Sequence, residues 1–231
     1  MMGTIGHVAL SVALFVGGHF LLSAPPIRKQ LVRVLGEWPF LGLYSVVALV
    51  LFAWMLFAYG AAPVVPVWTP PTALRHLSLS VMPFACILVV AGLATSNPSL
   101  AGVDGGAIAR RGPVGVLKIT RHPVMWGIGL WGIAHLLANG DAASMILFGG
   151  MTVLAFGGAL AIDAKKRAAL GDAWETYCAQ TSYLPFGAVL SGRTRVGLGE
   201  IGYARLALGV VLYGVLLAVH GALFGVDPWP L

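Results

Sequence analysis

Six stretches without a single charged residue, 1–27, 38–74, 76–103, 122–140, 142–162 and 206–226, partition this chain, and thirteen of its fourteen lysines and arginines fall in every second gap between them. Crossing a hydrocarbon layer of about 30 Å takes about 20 apolar residues at a helical rise of about 1.5 Å each, which every stretch is expected to supply. Backbone amides find no water in that layer, so a chain of this pattern folds as helices. The expected fold is all-α, an integral membrane bundle of six transmembrane helices in one domain over residues 1–231. The spans fall near 3–22, 39–59, 77–95, 123–139, 143–162 and 205–224.

The charges then set an orientation. Arg28, Lys29 and Arg33 fill the first gap, Arg110, Arg111, Lys118 and Arg121 the third, and Lys165, Lys166, Arg167, Arg193, Arg195 and Arg205 the fifth. Basic residues are retained on the cytoplasmic side, which puts both termini outside and predicts a multi-pass protein of a bacterial inner membrane. Arg75 alone breaks the rule. With 58% hydrophobic and 10% charged residues, the chain has no room for a separate soluble domain, and its net charge of +6 speaks for topology and anionic lipid rather than nucleic acid. No basic segment precedes the first apolar run and Pro25-Pro26 follows it, so that run reads as a retained helix rather than a cleaved signal. Cys86 in the third span and Cys178 in a cytoplasmic segment are not expected to meet.

Between the spans, Pro63, Pro66, Pro70 and Pro71 predict a stiff outer strap, whereas five glycines between residues 97 and 122 predict a mobile cytoplasmic loop. Gly214, Ala218 and Ala222 recur at fourfold spacing near Gly221 and Gly225, and the fifth span carries Gly149, Gly150, Gly157 and Gly158. Such small residues let helices pack closely, inside the bundle or across a homodimer or partner seam.

Histidine is the informative side chain, because an ionisable group at membrane depth is costly and is retained for a partner or a ligand. His19 and His122 belong to the cytoplasmic ends of the first and fourth spans. His7, His135 and His220 lie toward the outer ends of the first, fourth and sixth, with His76 at the outer start of the third. Twelve or thirteen helical residues separate the two layers by about 18–20 Å, too far for one metal to bridge. Two imidazoles at one depth suit a haem iron, whereas zinc wants three or four converging ligands. The inner pair, His19 and His122, is the expected metal-ligating pair.

In Thr120-Arg121-His122-Pro123, proline at a helix start leaves the preceding histidine at the helix mouth. Free amides, the helix dipole and Arg121 make that mouth suited to a carboxylate or phosphate: a haem propionate, a methyl donor's carboxylate or a lipid headgroup. Residues 163–186 are too charged to cross and space Ala164, Leu170, Trp174 and Tyr177 so as to predict a helix lying along the membrane surface, within a cytoplasmic segment 163–203. Asp163, Asp172 and Glu175 there are candidate acceptors, or else pair locally with lysine and arginine. Trp126, Trp174, Tyr177 and Tyr183 are the aromatics expected to contact a lipophilic substrate.

Together these motifs resemble the NnrU family of bacterial membrane proteins. The resemblance rests on Gly18-His19 with Ser23, Asn97-Pro98, Thr120-Arg121-His122-Pro123, Leu130-Trp131 with Ala134-His135-Leu136, Asn139-Gly140-Asp141, and residues 163–186 closing with Gly192-Arg193. It implies a link to denitrification, to nitrite and nitric oxide reduction. Zeta-carotene isomerases contain a similar domain and use haem b with histidine ligands, which makes His19, His122 and His135 candidate cofactor residues beside Arg121. That enzyme branch has a further histidine near the end of the fifth helix, and residues 142–163 contain none.

A more distant similarity runs to isoprenylcysteine carboxyl methyltransferases, through Arg121-His122-Pro123, Leu170-Gly171, Trp174, Tyr177 and Pro185-Phe186. It implies S-adenosylmethionine as an alternative cofactor and methyl transfer to a small lipophilic substrate as an alternative activity. The paired glutamates of those enzymes are replaced by Asp163-Ala164. The leading expectation is a haem-binding isomerase or redox sensor. A non-catalytic assembly factor for respiratory proteins, using the small-residue faces, is the remaining alternative.

Overall fold

The computed structural model describes residues 3–98 and 105–229, and every regular element in them is helical. In chain order these are α1 (Ile5–Ser23), α2 (Pro25–Leu35), α3 (Glu37–Gly60), α4 (Thr72–Leu93), α5 (Gly105–Arg111), a 3₁₀ turn (Gly115–Lys118), α6 (Pro123–Ala138), α7 (Ala142–Leu170), α8 (Asp172–Gln180), α9 (Gly187–Leu190), α10 (Leu198–Ile201) and α11 (Tyr203–Phe224).

Five of them, α1, α3, α4, α7 and α11, are long and apolar enough to cross a membrane. The stretch expected to supply another span forms α6, only 16 residues and about 24 Å long. Its ends are written into the sequence. Pro123 stands at the first helical position, and Asn139, in extended conformation, closes the helix before Gly140. The helices adjoin in the order α3, α1, α7, α6, α4, α11. That order explains the burial: α6 is enclosed by α4 and α7, while the terminal members α3 and α11 present most of their surface outward.

Close approach is built on glycines of α6 rather than on those singled out in α11. A Cβ on Gly127 would meet Val89 at 2.5 Å and the Ala85 carbonyl at 2.8 Å, and one on Gly132 would meet Thr152 at 2.3 Å. On α7, Gly150 abuts Val12 and Gly157 abuts Phe20, but Gly149 and Gly158 meet nothing within 4 Å. Gly214 likewise meets nothing, and Gly225 serves instead as the left-handed cap that ends α11. A fourfold pattern of small residues cannot say whether its neighbour is a helix of the same chain.

Three further expectations change. The fifth span does not stop near residue 162: α7 carries Asp163 and the basic cluster onward to Leu170, and Gly171, at φ +52°, makes the break before α8. The helix predicted along the membrane surface turns its aromatic side inward, where Trp174 and Tyr177 are fully buried, stacked at 5.3 Å, and clustered with Ala109 of α5. The loop predicted to be mobile is, over residues 105–122, a folded plate: Gly105, Gly106, Ala109, Val116, Leu117 and Thr120 are buried. The glycines there serve contact, since a Cβ on Gly115 would meet the Glu200 carbonyl at 2.8 Å. The six residues 99–104 lie outside the described part.

The strap is as expected. Val67 and Trp68 amides donate to Gly140 O, Ala142 N–H donates to Val65 O, and Pro66 bridges Asp141, so the proline-rich loop clamps the α6–α7 turn. Antiparallel neighbours then place the basic gaps at one end of the bundle, the basic end, and this strap at the opposite, far end.

Candidate functional site

At the basic end, α7 runs beyond its apolar stretch just far enough to bring Asp163 against the mouth of α6. Arg121 Nε lies 2.9 Å from both carboxylate oxygens of Asp163 and its Nη2 closes the pair, while His122 Nε2 lies 2.7 Å from Oδ1. The His122 side chain has no exposed surface and Asp163 only 8%. The Arg121 amide donates to Ser182 O and Thr120 Oγ1 to Tyr183 O, which ties the 182–183 segment under the same mouth. Tyr183 packs edge-on to His122 and Trp126 and donates its hydroxyl to Phe156 O at 3.0 Å. This end is thus a closed polar lock with its charges mutually satisfied. Two donors beneath it are not: Trp174 Nε1 and Tyr177 Oη are buried without hydrogen-bond partners among the described residues, and burial pushes the Tyr177 phenol up from its usual pKa.

At the far end, α4, α6 and α11 diverge around a cleft of about 280 Å³ whose wall holds His135, His220, Arg75, Asn139, Tyr213 and Asp227. His135 Nδ1–H donates to Trp131 O at 2.8 Å, and its ring stacks on Phe148 at 4.6 Å. Gly225 reverses the chain after α11, which returns Val226 O to accept from His220 Nδ1–H at 2.9 Å. Both Nε2 atoms are left without a hydrogen-bond partner among the described residues, with ring centres 6.5 Å apart and planes 24° from parallel. Below, sharing Met82 and Leu216, a slot of about 170 Å³ continues between the same helices, walled by Val89, Ile128, Trp131 and Leu212.

The family model of the NnrU protein matches residues 7–228. The chain belongs to the NnrU family. Among curated proteins it is similar to the chloroplastic 15-cis-zeta-carotene isomerases of Zea mays, 33% identical over 82 residues, and of Arabidopsis thaliana, 33% identical over 79. Those matches take in 36% and 34% of this chain and 22% of each relative's length. No solved structure matches.

In this NnrU protein the histidines proposed as an inner pair have separate surroundings. His19 donates from Nδ1 to Phe15 O at 2.7 Å and packs against Phe15 and Tyr44, whereas His122 is engaged by Asp163. The outer set divides as well: His7 Nε2 accepts from Trp54 Nε1 at 2.6 Å, His76 is exposed, and His135 faces the cleft with His220. Of the aromatics expected to contact substrate, Trp126 and Tyr183 adjoin the lock and Trp174 and Tyr177 lie buried beneath it, none of them lining the cleft. Glu175 takes the local pairing, with Arg167. Sequence reading singled out neither His220 nor Arg75 as site residues. The signals were present, in three histidines at one depth and in the one basic residue outside the alternating gaps.

Proposed function

We propose that this NnrU protein is a membrane-embedded, isomerase-like enzyme that acts on a lipophilic polyene and carries haem or a related tetrapyrrole in the far-end cleft. One observation carries the reading: a histidine with an open ring nitrogen, His135, lines a largely apolar cleft with polar groups on its wall, which shares Met82 and Leu216 with an apolar slot. The similarity to the zeta-carotene isomerases supports the substrate class.

The donor set fits a tetrapyrrole. The backbone bond at Nδ1 fixes the His135 tautomer and leaves the Nε2 lone pair available to a metal, the arrangement that orients ligating imidazoles generally. Arg75 has the charge to hold a propionate. When bound, haem supplies a redox-active iron beside the slot. The chain's own share is to admit an extended apolar molecule between α4, α6 and α11, to hold it against Met82, Val89 and Leu216, and to keep water from its middle. Purified protein loaded with haem b and given 15-cis-zeta-carotene should convert it to another geometric isomer, read by chromatography. No change in isomer ratio against a His135→Ala control would refute the activity.

The physiological setting we propose is a bacterial inner membrane, linked to nitrite and nitric oxide reduction, with the basic end in the cytoplasm. A reporter enzyme that works only outside the cytoplasm, fused after Leu231, should be active. Silence there, with activity when it is fused near Arg193, would invert the topology.

A second reading draws on the two buried donors at the basic end. Trp174 Nε1 and Tyr177 Oη beside the Arg121–Asp163 pair favour a polar ligand, with S-adenosylmethionine as the methyl donor implied by the methyltransferase resemblance. Calorimetry with millimolar S-adenosylmethionine should then give binding heat that Tyr177→Phe diminishes. A flat titration would dispose of it.

A further inference from the structure

We infer that the basic end carries a seat for the phosphate of one anionic phospholipid, formed where α1 gives way to α2 and α7 passes beside them, with Lys165, Arg28 and Lys29 as its cations. The inference is independent of what the far-end cleft holds.

The seat follows from a charge without a counter-charge. Lys165 stands two positions beyond Asp163, and at about 100° per residue it leaves α7 on nearly the opposite side from that carboxylate. Asp163 is in any case committed to Arg121 and His122. The Lys165 side chain is half-buried, and its one hydrogen bond among the described residues is a long one, 3.4 Å from Nζ to Ser23 O. No carboxylate among those residues lies within ion-pair distance of it. The charges that bear on it are two further cations, Arg28 and Lys166. A half-buried ammonium beside like charges is costly by itself, and an anion placed among them reverses the sign.

Local structure holds the cations there. Ala24, in extended conformation, breaks the chain between α1 and α2, and Pro25 starts the new helix. That turn brings Arg28 and Lys29 back beside Ser23 and Lys165. Arg28 is braced by Glu37 and lies 5.6 Å from the centre of the Phe40 ring. A guanidinium has five N–H donors, and Glu37 takes only one of them, so donors remain for a second anion. Lys29 is exposed and adds a mobile charge at the rim.

Depth selects the anion. The seat lies where two apolar helices end, and each exposes a leucine just inward of it: Leu21, two residues before Ser23, and Leu160, five before Lys165. Trp38, exposed at the neighbouring start of α3, is the kind of indole that sits at a membrane interface. A free phosphate would use the cations alone. A phospholipid lays its acyl chains along the leucines while its phosphate joins the ammonium groups, so that it uses both features.

The test counts ligands on full-length protein by native mass spectrometry, from detergent micelles supplied with phosphatidylglycerol, phosphatidylcholine or inorganic phosphate. Wild type should retain one phosphatidylglycerol in preference to phosphatidylcholine, and no inorganic phosphate. Lys165→Gln should lower that retention about fivefold, and Lys165→Arg should keep it. Lys29→Gln, at an exposed side chain where folding is not at stake, should lower it as well. Arg195→Gln removes the same charge from an exposed position elsewhere at the basic end and should leave retention as in wild type. Equal losses in Lys165→Gln and Arg195→Gln would reduce the effect to net charge and overturn the seat. Retention of inorganic phosphate in place of lipid would overturn the lipid as occupant, and no preference for phosphatidylglycerol over phosphatidylcholine would overturn its anionic class.

Discussion

The two ends of the bundle use the same side chain to opposite purposes. At the basic end His122 is wholly enclosed and its Nε2 is taken by Asp163, which Arg121 grips as well. At the far end His135 and His220 are held by their own backbones and keep their outward nitrogens open to a cleft. The difference lies in the surroundings: His122 Nε2 meets a carboxylate, while His135 and His220 spend Nδ1 on a carbonyl, as His19 does on Phe15 O, and of these only His135 and His220 line the cleft. A histidine's depth in the membrane therefore says less about its role than which of its nitrogens is already spoken for.

Removing the carboxylate should show the contrast at its largest. Asp163→Ala removes the carboxylate that a buried guanidinium and imidazole share, and a denaturant titration in micelles should find a loss of about 3–5 kcal/mol. A loss below about 1 kcal/mol would mean that the lock is solvated and the comparison fails. Next in size, Gly127→Ala drives a methyl into Val89 and the Ala85 carbonyl, costing about 1–3 kcal/mol, whereas Gly214→Ala, with open space around it, should cost nothing measurable. Equal effects would erase the distinction between the enclosed α6 and the outlying α11.

The periphery of the basic end gives a smaller, pH-dependent signal. The Lys118 ammonium, and the Gly115 amide 3.3 Å away, hold the Glu200 carboxyl below the usual glutamate range. The stability this provides is present above about pH 4.5 and is lost as pH falls below it, by well under about 1 kcal/mol for so exposed a pair. Glu200→Gln should flatten that part of the profile, and an unchanged profile would remove the contact from the account. Smallest of all, His220→Ala should alter unfolding of the ligand-free protein by no more than about 0.5 kcal/mol, because its ring is half-exposed and its one hydrogen bond among the described residues is to Val226 O in the exposed segment after α11. A larger loss would make it a structural residue like His122.

Much of the bundle was legible because hydrophobicity and charge are local. The apolar runs gave α1, α3, α4, α6, α7 and α11 within a few residues at most ends, and the four prolines gave the strap. What escaped depends on neighbours. Leu170 ends α7 rather than Ile162 because Asp163 finds Arg121 and His122, a match of residues more than forty positions apart. Trp174 and Tyr177 face inward because α5 lies there to receive them, and the small helix α2, which has no fully buried residue, had no apolar run to announce it. The motif Arg121-His122-Pro123 was correctly marked as a meeting point, but what it meets is a carboxylate of the same chain. The chain reversal at Gly225, which returns Val226 O to His220, is a feature of three dimensions that no spacing along α11 encodes.

The central claim, that the ligand-bearing histidines are those of the far end, is tested most directly by the Soret absorption of haem-loaded protein in two variants measured side by side. The account predicts that His135→Ala loses or strongly alters the band while His19→Ala leaves it as in wild type. The reverse pattern, a band indifferent to His135 and abolished with His19, would contradict it and return the metal to the basic end.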